Sequence, residues 1–126
     1  MAMKIAKGIM WFCAIGAFAA FFTGFESAFS SENDHRIVEL WRLLGFIVFT
    51  ALFILLALRP SQYPGIWEVV IFHKLAMSVI SFNLLRDQVP DAGSVAIVDG
   101  ILAVLLITAY FLSKSYTLWR LFGQSK

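Results

Sequence analysis

Four long apolar segments alternate with three short polar segments along the chain. The apolar segments cover residues 5–25, 37–58, 66–85 and 95–113. Each has about the 20 residues that an α-helix needs to cross the hydrocarbon core of a bilayer. None shows the alternation of apolar and polar residues that is typical of strands. The pattern therefore predicts an all-α integral membrane protein, and the short connections predict an up-down-up-down four-helix bundle.

The distribution of basic residues predicts which way the bundle faces, because cytoplasmic loops carry an excess of Lys and Arg. The first and third loops hold only Arg36 and Arg86. The two tails and the second loop hold Lys4, Lys7, Arg59, Lys114, Arg120 and Lys126. We therefore expect both termini to be cytoplasmic, in a plasma or inner membrane. Residues 115–126 are expected to form an interfacial tail on a single domain that spans 1–126.

The composition supports a membrane protein and excludes several other classes. The 126 residues are 60% hydrophobic and only 14% charged, whereas soluble domains average about 25% charged residues. The net charge of +2 gives no indication of a nucleic-acid partner. Nucleotide-binding, metalloprotease and cysteine-rich metal motifs do not occur in the sequence. The one cysteine, Cys13, is typical of a small residue packed in a helix. We predict no metal site and no cofactor.

Several polar residues are predicted near the membrane side opposite the termini. Glu39 and Arg42 begin the second segment at a spacing that lets them pair, and Asp99 lies early in the fourth. Asn83 ends the third segment on the same side. One interpretation is a structural clamp in which Asp99 and Glu39 satisfy Arg42. The other is a binding site, and the two are compatible.

The stretch "VVIFHKLAMSVISF" places two ionisable residues, His73 and Lys74, near the middle of the third segment. Lys74 shares a helix face with Ser78 and Ser81, which predicts a polar stripe toward the bundle interior. No acidic residue is expected at the depth of Lys74. Loss of its charge, a reach toward the outer polar residues, or an anionic ligand would each satisfy it. His73 has three open roles: packing, acid–base or ligand contact, and axial ligation of haem.

Two stretches, "ELWRLLGFIVFTALFILLALRP" (39–60) and "WEVVIFHKLAMSVISF" (67–82), resemble the small DoxX-like membrane proteins. The resemblance implies a four-helix bundle over the whole chain. Most members of that family have no known activity, so it implies little about chemistry.

These observations favour a small membrane protein with an intramembrane polar pocket. It would bind a small lipophilic molecule or act as an accessory subunit, alone, as a homo-oligomer or with a partner membrane protein. The alternative is an isomerase- or cyclase-type enzyme that moves protons on an apolar substrate. Its candidate catalytic residues are Glu39, His73 and Asp99. The candidate ligand-binding residues are Arg42, Lys74, Asn83 and Tyr110, the last because it shares a helix face with Asp99.

Overall fold

The computed structural model describes residues 1–123, and this part of the chain is all-α without strands. Its helices are α1 (Ala2–Ser30), α2 (Asn33–Leu58), α3 (Ile66–Leu84), α4 (Ala92–Leu112) and the short α5 (Trp119–Phe122). Single 3₁₀ turns follow α3 and α4, at Leu85–Asp87 and Ser115–Leu118. Helices α1 to α4 are all long and apolar enough to cross a membrane, which confirms the predicted all-α class with four helices able to span.

The first polar connection is much shorter than the sequence predicts. Only Ser31 and Glu32 separate α1 from α2, so most of the expected loop at residues 26–36 is helical. Serine hydroxyls bond back to carbonyls of the preceding turn there, as from Ser30 Oγ to the Glu26 oxygen at 2.8 Å. Such bonds satisfy the side chain without interrupting the helix. An apolar segment therefore marks the extent of a span, whereas the helix that contains it continues into polar sequence.

The helices pack into a bundle around a core at the end that holds the termini. Helix α1 packs against both α2 and α4, and α3 packs against α4. Large fully buried side chains from all four long helices form the core, among them Met10, Phe53, Trp67 and Leu106. Each comes from a different helix, so this cluster fixes the relative position of all four.

Most of the surface of the bundle is apolar. In the most apolar window of each long helix, only 17% to 28% of the residues are buried inside the protein. The outward residues include large side chains such as Phe22, Phe72 and Val104. A soluble protein rarely exposes contiguous apolar patches of this extent. In a lipid bilayer the exposure of these side chains carries no free-energy penalty, because lipid tails are as apolar as they are.

Candidate functional site

An ion pair joins α3 and α4 in the middle of the bundle. Lys74 Nζ lies 2.8 Å from Asp99 Oδ1. Both residues are buried, with 7% of Lys74 and 8% of Asp99 exposed. Lys74 is about 12 Å from the start of α3, and Asp99 about 10 Å from the start of α4. Ionisable groups at this depth are rare in membrane helices and mark functional positions by default.

This pair corrects two expectations about Lys74 and Asp99. The sequence places no acid at the depth of Lys74 and assigns Asp99 to Arg42. In the structure, α4 begins at Ala92, three residues earlier than its predicted span, so Asp99 lies deeper than expected. Lys74 lies a few ångströms further than Asp99 from the end of the bundle at which α4 begins. The long stem of the lysine covers this difference. The structure shows one of the three arrangements predicted for Lys74, a reach along its stem, here toward Asp99, which the sequence predicts among the outer polar residues.

The aromatic ring of Phe49, on α2, lies against both His73 and Lys74 of α3. Lys74 Nζ is 4.3 Å from the ring centroid, close enough for a cation–π interaction. The His73 ring centroid is 4.6 Å from that of Phe49. His73 itself is exposed on the outside of the bundle, whereas Lys74 is buried. Phe49 therefore covers the ion pair on the α2 side of the bundle.

The polar stripe predicted on α3 does face the interior, and it brings α3 and α4 close together. Ser81 is buried, and Ser78 Oγ donates a hydrogen bond of 2.8 Å to the carbonyl of Ala96. A Cβ atom placed on Gly100 would lie 3.0 Å from Ser78 Oγ. The helices thus approach each other closely immediately beside the ion pair, because a glycine leaves room for the serine.

The outer polar residues Glu39, Arg42 and Asp91 form an outer cluster that is separate from the ion pair. Arg42 bonds to Glu39 on its own helix, and its other terminal nitrogen lies 3.5 Å from Asp91 Oδ2. Asp91 precedes Asp99 by eight residues, about 12 Å along α4. Arg42 and Asp91 are exposed. The expectation that Arg42 is satisfied by Asp99 is therefore wrong, although its predicted contact with Glu39 is confirmed.

Asn83 and Tyr110, the other two candidate ligand-binding residues, also lie apart from the ion pair. Asn83 is exposed and donates to the Val79 carbonyl of its own helix at 2.9 Å. Tyr110 donates its hydroxyl hydrogen bond to Glu68 Oε1 at 2.6 Å, near the end of the bundle that holds the termini. The structure brings together Lys74, Asp99 and His73, with Phe49 as a neighbour that the sequence pattern does not predict.

A second polar network surrounds Glu68 at the beginning of α3. Besides Tyr110, Glu68 Oε1 accepts a hydrogen bond of 2.8 Å from Trp119 Nε1. Glu68 Oε2 accepts from the Gly65 amide at 3.1 Å, which caps the helix. Nearby, the Pro60 carbonyl accepts from Trp67 Nε1 and from Ser115 Oγ. These bonds attach the segment after α4 to the loop before α3.

The network around Glu68 holds structural elements of the chain together. Each hydrogen bond described for Glu68 comes from a donor of the chain itself. No group of three metal-ligating side chains occurs within residues 1–123. The Lys74–Asp99 pair is therefore the stronger candidate for a functional site.

Comparison with known proteins gives no relative from which a function could be transferred. No family model, no curated protein and no solved structure matches the chain. The class of protein therefore follows from the structure alone: a helical bundle with four helices able to span a membrane and an ion pair buried at its middle.

Proposed function

We propose that this chain is an integral membrane protein that binds a small lipophilic molecule at the Lys74–Asp99 pair. Its four long helices cross the membrane in an up-down-up-down order, with both termini in the cytoplasm. The resemblance of residues 39–60 and 67–82 to DoxX-like proteins agrees with this architecture. The observation that carries the proposal is the pair itself, at mid-bundle and covered on the α2 side by an aromatic ring.

The ion pair retains hydrogen-bonding capacity for a ligand. A lysine ammonium has three N–H donors, and one of those on Lys74 is used by Asp99 Oδ1. A second side of the ammonium faces the ring of Phe49. An ionised carboxylate has about four acceptor positions, so Asp99 also keeps acceptors. A ligand with a carbonyl, hydroxyl or acidic head group would match these groups, and its apolar remainder would lie in lipid.

The space between α2 and α3 offers a route from lipid to the pair. These two helices, both fully described, pack less closely than α1 with α2 or α3 with α4. Their side-chain contacts include Phe49 against His73 and Lys74. A rotation of the Phe49 ring would open the pair toward lipid. His73, already exposed there, would then line the entrance.

Native mass spectrometry of the protein released from a gentle detergent tests this proposal. We expect a reproducible extra mass on the wild type that is lost in the double variant Lys74→Met/Asp99→Leu. The double variant removes both charges, so no uncompensated charge is left to unfold the bundle. Arg42→Leu, which changes the separate outer cluster, is the matched control and should keep the ligand.

Two results would overturn the proposal. One is a bare wild-type protein in every detergent and lipid tried. The other is an extra mass that the double variant retains as well as the wild type does. A partner chain that co-purifies with the bare protein would instead favour the accessory-subunit hypothesis.

The acid–base alternative uses part of the same site. His73 and Lys74 contact the same Phe49 ring, and Asp99 is bonded to Lys74, whereas Glu39 belongs to the outer cluster. An enzyme at this site would therefore depend on His73 and Asp99. A His73→Gln variant that retains the ligand but no longer converts it would support catalysis over binding.

The proposed sidedness is tested with single cysteines in a Cys13→Ser background. Ser31→Cys, between α1 and α2, should react with a membrane-impermeant maleimide added to intact cells. Ser61→Cys, between α2 and α3, should react only after the membrane is opened. The reverse pattern would contradict cytoplasmic termini.

A further inference from the structure

A groove on the outside of the bundle, between α1 and α2, is separate from the proposed ligand site. Its volume is about 440 Å³, within the range of about 300–1,000 Å³ that holds drug-sized ligands. Helix α1 contributes Trp11, Ile15 and Phe18, and α2 contributes Ile47, Ala51 and Ile54. The one hydroxyl in its lining, that of Thr50, is bonded to the Phe46 carbonyl at 2.7 Å. The groove therefore offers an occupant only apolar contacts.

Two lysines continue the α1 wall of the groove toward the N-terminus. Lys7 precedes Trp11 by four residues and Lys4 precedes it by seven, so both share its helix face. Lys7 is about 6 Å and Lys4 about 10 Å beyond Trp11 along the axis. None of the ion pairs found within residues 1–123 includes either lysine. Two cations without an acidic partner thus lie just beyond the end of the apolar groove, toward the N-terminus of α1.

We propose that this groove binds one anionic phospholipid from the leaflet on the N-terminal side. One acyl chain lies between Trp11 and Ile54 at one end and Phe18 and Ile47 at the other. The phosphate and its acidic head group contact Lys4 and Lys7. The long lysine stems let their ammonium groups reach the interface while the groove remains in the hydrocarbon.

Charge complementarity favours a lipid over a second transmembrane helix as the occupant. An apolar helix laid in the groove would leave both lysines without a counter-charge, whereas an anionic lipid supplies charge and chain in one molecule. The described residues on this side include the cations Arg59, Lys114 and Arg120 as well, and the one acid there, Glu68, is bonded to other groups. Within residues 1–123, no carboxylate on this side is therefore left to pair with the two lysines.

The test is native mass spectrometry of the purified protein in mixed micelles that contain equal amounts of phosphatidylglycerol and phosphatidylcholine. We expect one retained phosphatidylglycerol per chain. In Lys4→Gln/Lys7→Gln, retention should become about 30-fold weaker, since a basic residue near an anionic surface contributes roughly a fivefold effect. The control Lys114→Gln/Arg120→Gln removes two charges from the same side and should retain the lipid.

A second pair of variants tests the groove itself. Ala51→Trp fills it from an exposed position on α2, and the lipid should be lost. Ala19→Trp makes the same change at an exposed position outside the lining and should retain the lipid. Thermal melting of each variant in detergent checks that the bundle is still folded.

Three outcomes would overturn the inference. The first is equal retention of the anionic and the zwitterionic lipid by the wild type. The second is unchanged retention in both the lysine and the Ala51 variants. The third is a lipid-free dimer that Ala51→Trp dissociates, which would make the groove an interface between two copies.

Discussion

Removal of one member of the Lys74–Asp99 pair is expected to destabilise the bundle far more than removal of both. Each side chain is about nine-tenths buried, and their charged atoms are 2.8 Å apart. Breaking a buried pair by deleting one partner typically costs about 3–5 kcal/mol, because the other charge is left without compensation. We therefore expect Lys74→Met and Asp99→Leu each to lower the free energy of unfolding by about 3 kcal/mol.

The double variant should recover most of that loss. Replacement of a buried ion pair by apolar residues of similar volume is often neutral or stabilising, and both new side chains suit a lipid-surrounded interior. The two single losses would sum to about 6 kcal/mol, so a near-neutral double variant implies a coupling free energy of roughly 6 kcal/mol between the two residues. That is large against the about 0–1 kcal/mol expected for an exposed pair.

The assay is unfolding of purified protein in detergent micelles by titration with sodium dodecyl sulfate, followed by tryptophan fluorescence and far-ultraviolet circular dichroism. The exposed Glu39–Arg42 pair supplies a matched cycle, with Glu39→Gln and Arg42→Met. Similar coupling in the two cycles would refute the reasoning, as would single variants at Lys74 and Asp99 that unfold like the wild type. Either result would mean that the pair is hydrated or mobile in the micelle.

Two other predictions concern the packing of the bundle. Gly100→Ala should be about 1–3 kcal/mol less stable than Gly16→Ala in the same titration, because its new Cβ would lie 3.0 Å from Ser78 Oγ whereas nothing lies within 4 Å at Gly16. Equal stabilities would contradict the close approach of α3 to α4. Glu68→Ala should shift the fluorescence of Trp119, whose indole it binds, and lower the unfolding free energy by about 2 kcal/mol. An unchanged spectrum and stability would contradict the proposed attachment of the C-terminal segment.

The sequence predicts the four long helices, but not where α1 ends or how deep individual residues lie. The predicted spans at 37–58 and 66–85 agree with α2 and α3 closely, because long apolar runs in a chain with few charges have no other stable arrangement. Asp99 was assigned to the wrong partner because α4 begins three residues before its apolar run. Three residues of offset along a helix amount to about 5 Å. This shift is enough to make Lys74, rather than Arg42, the partner of Asp99.

Two contributors to the sites carry no recognisable signal in the sequence. Phe49 is one of 13 phenylalanines, and most of the others face lipid or fill the bundle. Its position beside Lys74 depends on the rotation of α2 relative to α3. Glu68 stands at the start of a helix, where an acid is expected as a cap, and it does cap α3. Its bonds to Tyr110 and Trp119 depend on where α4 ends, which a pattern of hydrophobic residues does not determine.

The position of the Lys74–Asp99 pair is itself an argument for a role beyond structure. The contact between α3 and α4 does not need the pair, because the Ser78 hydrogen bond and the glycine at position 100 already hold the helices close. Two apolar residues would stabilise the same interface at least as well. Charged groups at this depth cost free energy unless other polar groups compensate them. A double variant that folds with wild-type stability but loses the bound molecule would show that the charges serve the ligand. One that loses stability as well would show that they serve the fold.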